Sequence, residues 1–354
     1  MPRYVDALLS EAAELSAQYG HPAVETVFIG GGTPSLLPAP LIARLLAGLR
    51  EHFIIPADTE FTSEANPGTL TEDWLYAAMN GGVNRLSLGM QAYQPELLKT
   101  LGRIHDFSQV VDSVALARQA GISNLNLDLM FGLPSQTATM WRETLGKALS
   151  LRPEHLSCYG LIPEDGTPLK ADLDAGRLTL PDEDEERCMY DDSLKLLNAH
   201  GYGQYEISNF AKPDRECQHN LGYWRRVPYL GLGASAASCV PGDGQADSFR
   251  LSNPADLQAY LRMVENRDWQ ARSCTAISAA DARFETMMLG LRTTQGVSEA
   301  AFMAMHGIPM DDCYGNRLRP LVQQGLIDWQ DGWCRLTRHG MDVQNAILVE
   351  LMGD

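Results

Sequence analysis

Three glycines in a row, Gly30-Gly31-Gly32, followed by Thr33-Pro34, end the apolar run Thr26–Ile29. Glycine at a strand end lets a ligand come against bare backbone, whose amides and carbonyls can meet an amino-acid or phosphate group. The spacing is not GxGxxG and no GK[ST] follows, so dinucleotide and P-loop readings are weak; a plain tight turn stays open beside ligand binding. Polar residues recur at the ends of later runs: Glu64 and Asn66 before Pro67, then Arg85, Ser87, Gly89 and Gln91, the loop Gly102-Arg103-Ile104-His105, and Asn126 with Asp128. Each alone reads as a satisfied hydrogen-bonding residue, whereas several at the same end of successive strands read as a ligand site. Further along, Cys217-Gln218-His219-Asn220-Leu221-Gly222-Tyr223-Trp224 sets a histidine beside two aromatics. His219 with Tyr223 and Trp224 suits iron ligation with stacking on a macrocycle. It suits equally an aromatic pair packed on the fold with the histidine bonded to a loop.

Cysteine, the other ligand of reactive metals, is scattered. The seven are Cys158, Cys188, Cys217, Cys239, Cys274, Cys313 and Cys334, and the closest two are 21 residues apart. No CxxC or CxxxCxxC cluster is present, so neither a zinc ribbon nor an iron–sulfur loop follows from spacing. Dispersed reduced thiols fit a cytoplasmic chain.

These residues need elements to hold them. Strand-like runs at Thr26–Ile29, Glu60–Ala65, Arg85–Met90, Asn124–Phe131 and His155–Ile162 alternate with helical patterns at Leu41–His52, Glu72–Asn80, Ser108–Ala120 and Thr139–Leu149. That alternation is the mark of repeated βα units on a parallel sheet. Ser108 is placed to be an N-cap and Gly121 a C′ residue. Within the strands, Arg85, Ser87 and Gly89, or Asn126 and Asp128, alternate with leucines. A parallel sheet covered by helices on both faces reads as unbroken apolar runs, so one polar face implies a barrel with a ligand-holding lumen. In such barrels the site lies at the C-terminal strand ends.

A helix at 3–18, with Tyr4, Leu8 and Leu15 on one face, precedes the first run. After about Pro181 the acidic run Asp182–Glu186 opens another helix, where negative charge complements the dipole. Residues 242–280 read as a loop and a connecting helix. From 281 to 352 come three helical patterns and a hairpin, Leu326–Trp329 and Trp333–Leu336 about Asp331-Gly332, a winged-helix arrangement.

The chain of 354 residues carries 28 Lys and Arg against 45 Asp and Glu, a net charge of −17. Phosphate binding needs a cationic face, so no nucleic-acid partner is expected. The last segment, with six Arg against ten acidic residues over 281–354, is no DNA reader either. No run of 18 apolar residues occurs, so any membrane contact would be peripheral, and Met1-Pro2-Arg3-Tyr4 does not read as an export signal.

Together, GGGTP at 30–34, ExNP at 64–67, RxSxGxQ at 85–91, GRxH at 102–105 and NxDLMxGLPxQT at 126–137 resemble the radical S-adenosylmethionine proteins, specifically the oxygen-independent coproporphyrinogen III oxidase group. His155–Tyr159, Glu206–Phe210 and Met287–Arg292 extend the resemblance over nearly the whole chain, and HNxxYW at 219–224 is similar to the haem-chaperone branch of that group. The resemblance implies an α/β fold: a partial (βα)6-type barrel lacking its first strand over 1–240, a connecting segment 241–280, and a HemN-type winged-helix-like domain over 281–354. It implies that Gly30, Gly31, Gly32 and Thr33 hold the methionyl part of S-adenosylmethionine. Glu64 and Arg103 would then meet its amino and carboxylate groups, and Gln91 and Asp128 its ribose. Haem or a porphyrin is the implied cargo, with His219, Tyr223 and Trp224 as candidates, and haem-acceptor proteins are the implied partners. No CxxCH is present, so covalent haem attachment is not expected.

The chain departs from the pattern in two places. Ala237 stands where relatives often carry the histidine of GAHS. The relatives begin with a strand and a CxxxCxxC loop holding a [4Fe–4S] cluster, a ligand motif not found here. The expectation is therefore binding of S-adenosylmethionine and haem without radical chemistry, with an exposed sheet edge beside Val27–Ile29. The competing expectations are oxidative decarboxylation of coproporphyrinogen III to protoporphyrinogen IX, and a cluster-free binding module.

Overall fold

Five of the apolar runs form parallel strands in chain order in the computed structural model, which describes residues 1–352. They are β1 (Thr26–Ile29), β2 (Glu60–Ala65), β3 (Arg85–Gln91), β4 (Asn124–Phe131) and β5 (His155–Gly160). With β6 (Gly203–Glu206) and β7 (Asn209–Ala211) they make one sheet of order β1-β2-β3-β4-β5-β7-β6, in which β7 runs antiparallel to β5. The result is an open half-barrel. The read strand His155–Ile162 stops at Gly160: Leu161 N–H makes the last bond to β4, at Phe131 O, and Pro163 has no N–H to continue a ladder.

Helices Ala39–His52, Glu72–Asn80, Phe107–Ala120 and Ala138–Ser150 fill the crossovers. Every residue of β3 is buried, although only alternate ones are apolar. Leu86, Leu88, Leu125, Leu127 and Leu129 supply the apolar parity, and Arg85, Ser87, Asn126 and Asp128 the polar one. Ser108 is not the N-cap of its helix. Asp106 is, accepting Gln109 N–H at 3.0 Å while Gln109 Oε1 accepts Asp106 N–H at 3.1 Å, and the Ser108 hydroxyl only braces Asp106. A carboxylate is the stronger acceptor at the positive helix end, so it takes the cap. Gly121 closes this helix at φ 107°, as read.

The chain divides into two compact units: one is Ala23–Gln204 with Ser208–Cys217, the other Met1–Pro22, Tyr205–Ile207 and the chain from Gln218 onward. In the second unit, 242–280 is more than a loop and a helix. It completes a three-stranded antiparallel sheet, β8 (Ala237–Pro241), β9 (Ser248–Ser252) and β10 (Ser273–Ile277), with the helix Leu257–Glu265 between the last two. Four of the five β10 residues are exposed, so no apolar alternation announces it; cross-strand pairing makes it a strand.

The C-terminal helices Ala279–Gly290, Glu299–His306 and Met310–Gln323 carry β11 (Val297–Ser298), β12 (Ile327–Gln330) and β13 (Trp333–Leu336). The hairpin turns at Asp331-Gly332, with φ of 53° and 78°, the left-handed pair that a tight hairpin requires. Met287, Leu291, Phe302, Leu318, Ile327 and Cys334 form its core.

The N-terminal helix Pro2–Gln18 buries a charge that periodicity did not single out. Glu11 is fully buried. It accepts hydrogen bonds from Gly233 N–H at 2.8 Å, Tyr260 Oη–H at 2.8 Å, Asn253 Nδ2–H at 2.7 Å and Arg272 Nη2–H at 2.7 Å. One carboxylate thus joins the first helix to the segment before β8 and to the β9–β10 connection of the same unit.

Candidate functional site

The glycine turn after β1 and the end of β2 meet. Gly31 N–H donates to Glu64 Oε2 at 3.0 Å. A Cβ on Gly30 would stand 2.8 Å from Phe28 and 3.1 Å from the Glu64 carboxyl, so only glycine fits against this carboxylate. Gly31 and Gly32 take φ of 79° and 61°, and the space on their side-chain side is open. Thr33 is tied to β2 by Asn66 Nδ2–H donating to its Oγ1 at 3.0 Å. Backbone groups are therefore exposed beside a fixed acid.

Asp128 lies on the same polar face. Ser87 Oγ–H donates to its Oδ2 at 2.8 Å and Asn126 Nδ2–H to its Oδ1 at 2.8 Å. Burial pushes the Glu64 carboxyl above its ordinary range against the Gly31 hydrogen bond, and the charge of Asp128 adds to the rise. Burial likewise raises Asp128, opposed by its bonds from Ser87, Asn126 and Ser157. Neither acid has a salt-bridge partner among the described residues. Two acids held by neutral donors, with bare backbone alongside, can receive a cationic ligand group.

The remaining candidates are divided. Gln91, at a register shift after Gly89 and at φ 62°, lays its amide over Gly89: a Cβ there would be 2.8 Å from Nε2, and 3.6 Å from Asn66 Oδ1. It belongs to the same face. Arg103 is exposed on the loop after the short helix Pro95–Thr100, and its side chain makes no hydrogen bond within the described residues. His105, buried in that loop, bonds Met90 O at 3.3 Å, and burial lowers its basicity.

Sequence reasoning named Asn126 but not its role as a hub. Its amide donates to Ser87 Oγ at 2.7 Å, while its Oδ1 accepts from His155 Nδ1 at 2.6 Å and Ser157 Oγ at 3.2 Å. The signal was present, since parity puts Ser87, Asn126 and His155 in one cross-strand row. His155 is fully buried, and burial followed by the charge of Arg85 pulls its basicity well down. Unfolded, the ring takes a proton near pH 6.5. Folded, it stays neutral, so stability present above pH 6.5 is lost on acidification, by about 1.4 kcal/mol per pH unit from this group. Urea unfolding is expected to show a loss of about 1.4 kcal/mol in all from this group between pH 7.5 and 5.5, most of it below pH 6.5, and a His155→Gln variant to lack it.

In the other unit, His219, Tyr223 and Trp224 share the short helix Gln218–Trp224. His219 Nε2 and the Tyr223 hydroxyl are 3.2 Å apart, their rings meet edge to face at 4.8 Å, and Tyr229 stacks edge-on against Tyr223 at 4.8 Å. Arg292 covers the Trp224 ring at 4.5 Å and pairs with buried Glu206 at 3.6 Å. His219 and Tyr223 are thus in contact, with Tyr223 exposed, while Trp224 packs against Arg292. Among the described residues, no group of three or more His, Cys, Asp or Glu side chains is arranged to hold a metal ion. No described helix is long and apolar enough to cross a membrane.

The sequence profile of the Radical SAM superfamily matches residues 2–148, and that of the HemN C-terminal domain residues 277–343. Heme chaperone HemW of Bacillus subtilis is 36% identical over 352 residues, covering 99% of this chain and 91% of the relative. Heme chaperone HemW of Escherichia coli is 36% identical over 349 residues, covering 98% and 88%. The mouse mitochondrial radical S-adenosyl methionine domain-containing protein 1 is 33% identical over 98% of this chain and 80% of its own length. The structure of coproporphyrinogen III oxidase (HemN) from Escherichia coli superposes with a TM-score of 0.81 at 24% identity, covering 99% of this chain and 82% of that one, a shared fold.

Proposed function

Because the chain belongs to the radical SAM superfamily, in the family of the HemW heme chaperones, we propose that its half-barrel binds S-adenosylmethionine and that it carries haem to acceptor proteins. The observation that supports the first part is the Gly31–Glu64 contact beside open glycine backbone, with a second buried acid, Asp128, held by neutral donors and without a salt bridge. S-adenosylmethionine brings an ammonium and a sulfonium, the charges that such a pair of acids would stabilise. Glu64 would accept from the ammonium, the amides and carbonyls of Gly30–Gly32 and Thr33 would line the methionyl chain, and Asp128 with Gln91 would take the ribose hydroxyls. Arg103, exposed on its loop, would meet the ligand carboxylate.

The superfamily implies a [4Fe–4S] cluster as well. The described residues hold no ligand set that fits one, and no step proposed here runs through it.

For haem, the support is the His219–Tyr223 pair, with Trp224 on the same short helix. His219 Nε2, now shared with the Tyr223 hydroxyl, is the iron ligand, and the exposed Tyr223 ring is the stacking face. Haem titration followed at the Soret band is expected to saturate at one haem per chain. His219→Ala should weaken binding at least tenfold and alter the band, while Tyr223→Phe should keep the band position. Equal haem affinity in His219→Ala would reject the ligand assignment. Coproporphyrinogen III oxidation is the weaker reading, because the likeness to HemN is one of fold.

A further inference from the structure

Arg85 opens β3 on the polar face of the half-barrel, in register with Thr62 on β2 and Asn124 on β4. It is 2% exposed. Its one hydrogen bond is a long 3.5 Å contact from Nη1–H to Thr62 Oγ1, and it enters no salt bridge among the described residues. Its Nε–H is buried without an acceptor, and across the register Asn124 Oδ1 is buried without a donor.

A guanidinium never gives up its charge in a protein, and a buried charge is ordinarily paired. The charge of Arg85 is felt by Asp128, but no salt bridge joins them. Asp128 is held by Ser87 and Asn126, and His155 is neutral. The row Thr62–Arg85–Asn124 lies two residues nearer the strand starts than the row Glu64–Ser87–Asn126, roughly 7 Å along the strands. It is thus set back along the sheet from the Glu64 row, while its charge still reaches Asp128.

We propose that Arg85 and Asn124 form a small anion site on the inner face of the sheet, one that takes a carboxylate of the size of formate or acetate. The planar fork of guanidinium donors matches a carboxylate. The Asn124 amide can turn over to offer Nδ2–H to the same ligand, since its oxygen and nitrogen are interchangeable in shape. Burial of the guanidinium limits the ligand to a few atoms.

The test is thermal unfolding of the full chain in acetate or formate against chloride and sulfate at equal ionic strength. Acetate at tenfold its dissociation constant is expected to raise the midpoint by roughly 3–6 °C. Arg85→Lys should keep a reduced response, having the charge without the fork. Arg85→Met should lose the response and, in chloride, be no less stable than the parent, because it removes an unpaired buried charge. Saturation-transfer NMR on acetate with the unaltered chain, displaced by formate, reads the same site should Arg85→Met fail to fold. Equal stabilisation by chloride or sulfate, a response that survives Arg85→Met, or no transfer to acetate would overturn the proposal and leave water as the occupant.

Discussion

Glu64→Ala is expected to weaken S-adenosylmethionine binding about thirtyfold or more, measured by titration calorimetry. Removing one partner of a desolvated, hydrogen-bonded charge pair costs roughly 2–5 kcal/mol, much of it from stranding the other charge. Here the stranded group is the ligand ammonium, and Gly31 N–H also loses its acceptor. Glu64→Gln keeps an oxygen for Gly31 but no charge, so its loss should be intermediate.

The pH dependence carries the same sign. Burial has raised the Glu64 carboxyl above the ordinary glutamate range of about 4.3. Only the ionised form pairs with an ammonium. Affinity should therefore begin to fall, on acidification, at a higher pH than an unperturbed glutamate would give, and binding near that pH should release a proton. The alanine variant should lose this dependence. Unchanged affinity in Glu64→Ala, with circular dichroism showing an intact fold, would reject the site.

Glu11→Ala is expected to destabilise the unit containing the N-terminal helix by about 3–5 kcal/mol, the range for breaking a buried ion pair from one side. Four donors lose their acceptor together: Arg272, Asn253, Tyr260 and the Gly233 amide. Burial, followed by the Glu11 charge, pushes the Tyr260 hydroxyl far up, so it stays a donor at any working pH and cannot adapt. A drop in melting midpoint on the order of 10 °C should follow. Glu11→Gln should lose less, since its amide oxygen still accepts. A shift under 2 °C in Glu11→Ala would mean that water replaces the carboxylate.

The half-barrel was legible because its signals are local. Four helix-length patterns and five short apolar runs fix element type, and β1 to β4 begin at the residues where the runs begin. The polar parity of Arg85, Ser87, Asn126 and Asp128 pointed to a lumen before any geometry was known. The glycine turn and Glu64 were legible as types in a place. The cap at Asp106 was misjudged by two residues because Ser108 and Asp106 are both cap formers and only backbone geometry chooses between them. The β8–β10 sheet is not announced locally, because four of the five residues of β10 are exposed and no apolar run marks that strand.

By itself the sequence determined the βα alternation, the polar face, the hairpin at Asp331-Gly332 and the family, since each depends on periodicity or on residue types a few positions apart. Tertiary structure alone decided which polar residues meet. Glu64 reaches back 33 residues to Gly31, Asn126 links four strand residues, and Glu11 gathers donors up to 261 residues away. Those pairings arise from strand order and register, which place distant residues side by side once the apolar faces are buried; no local pattern encodes them.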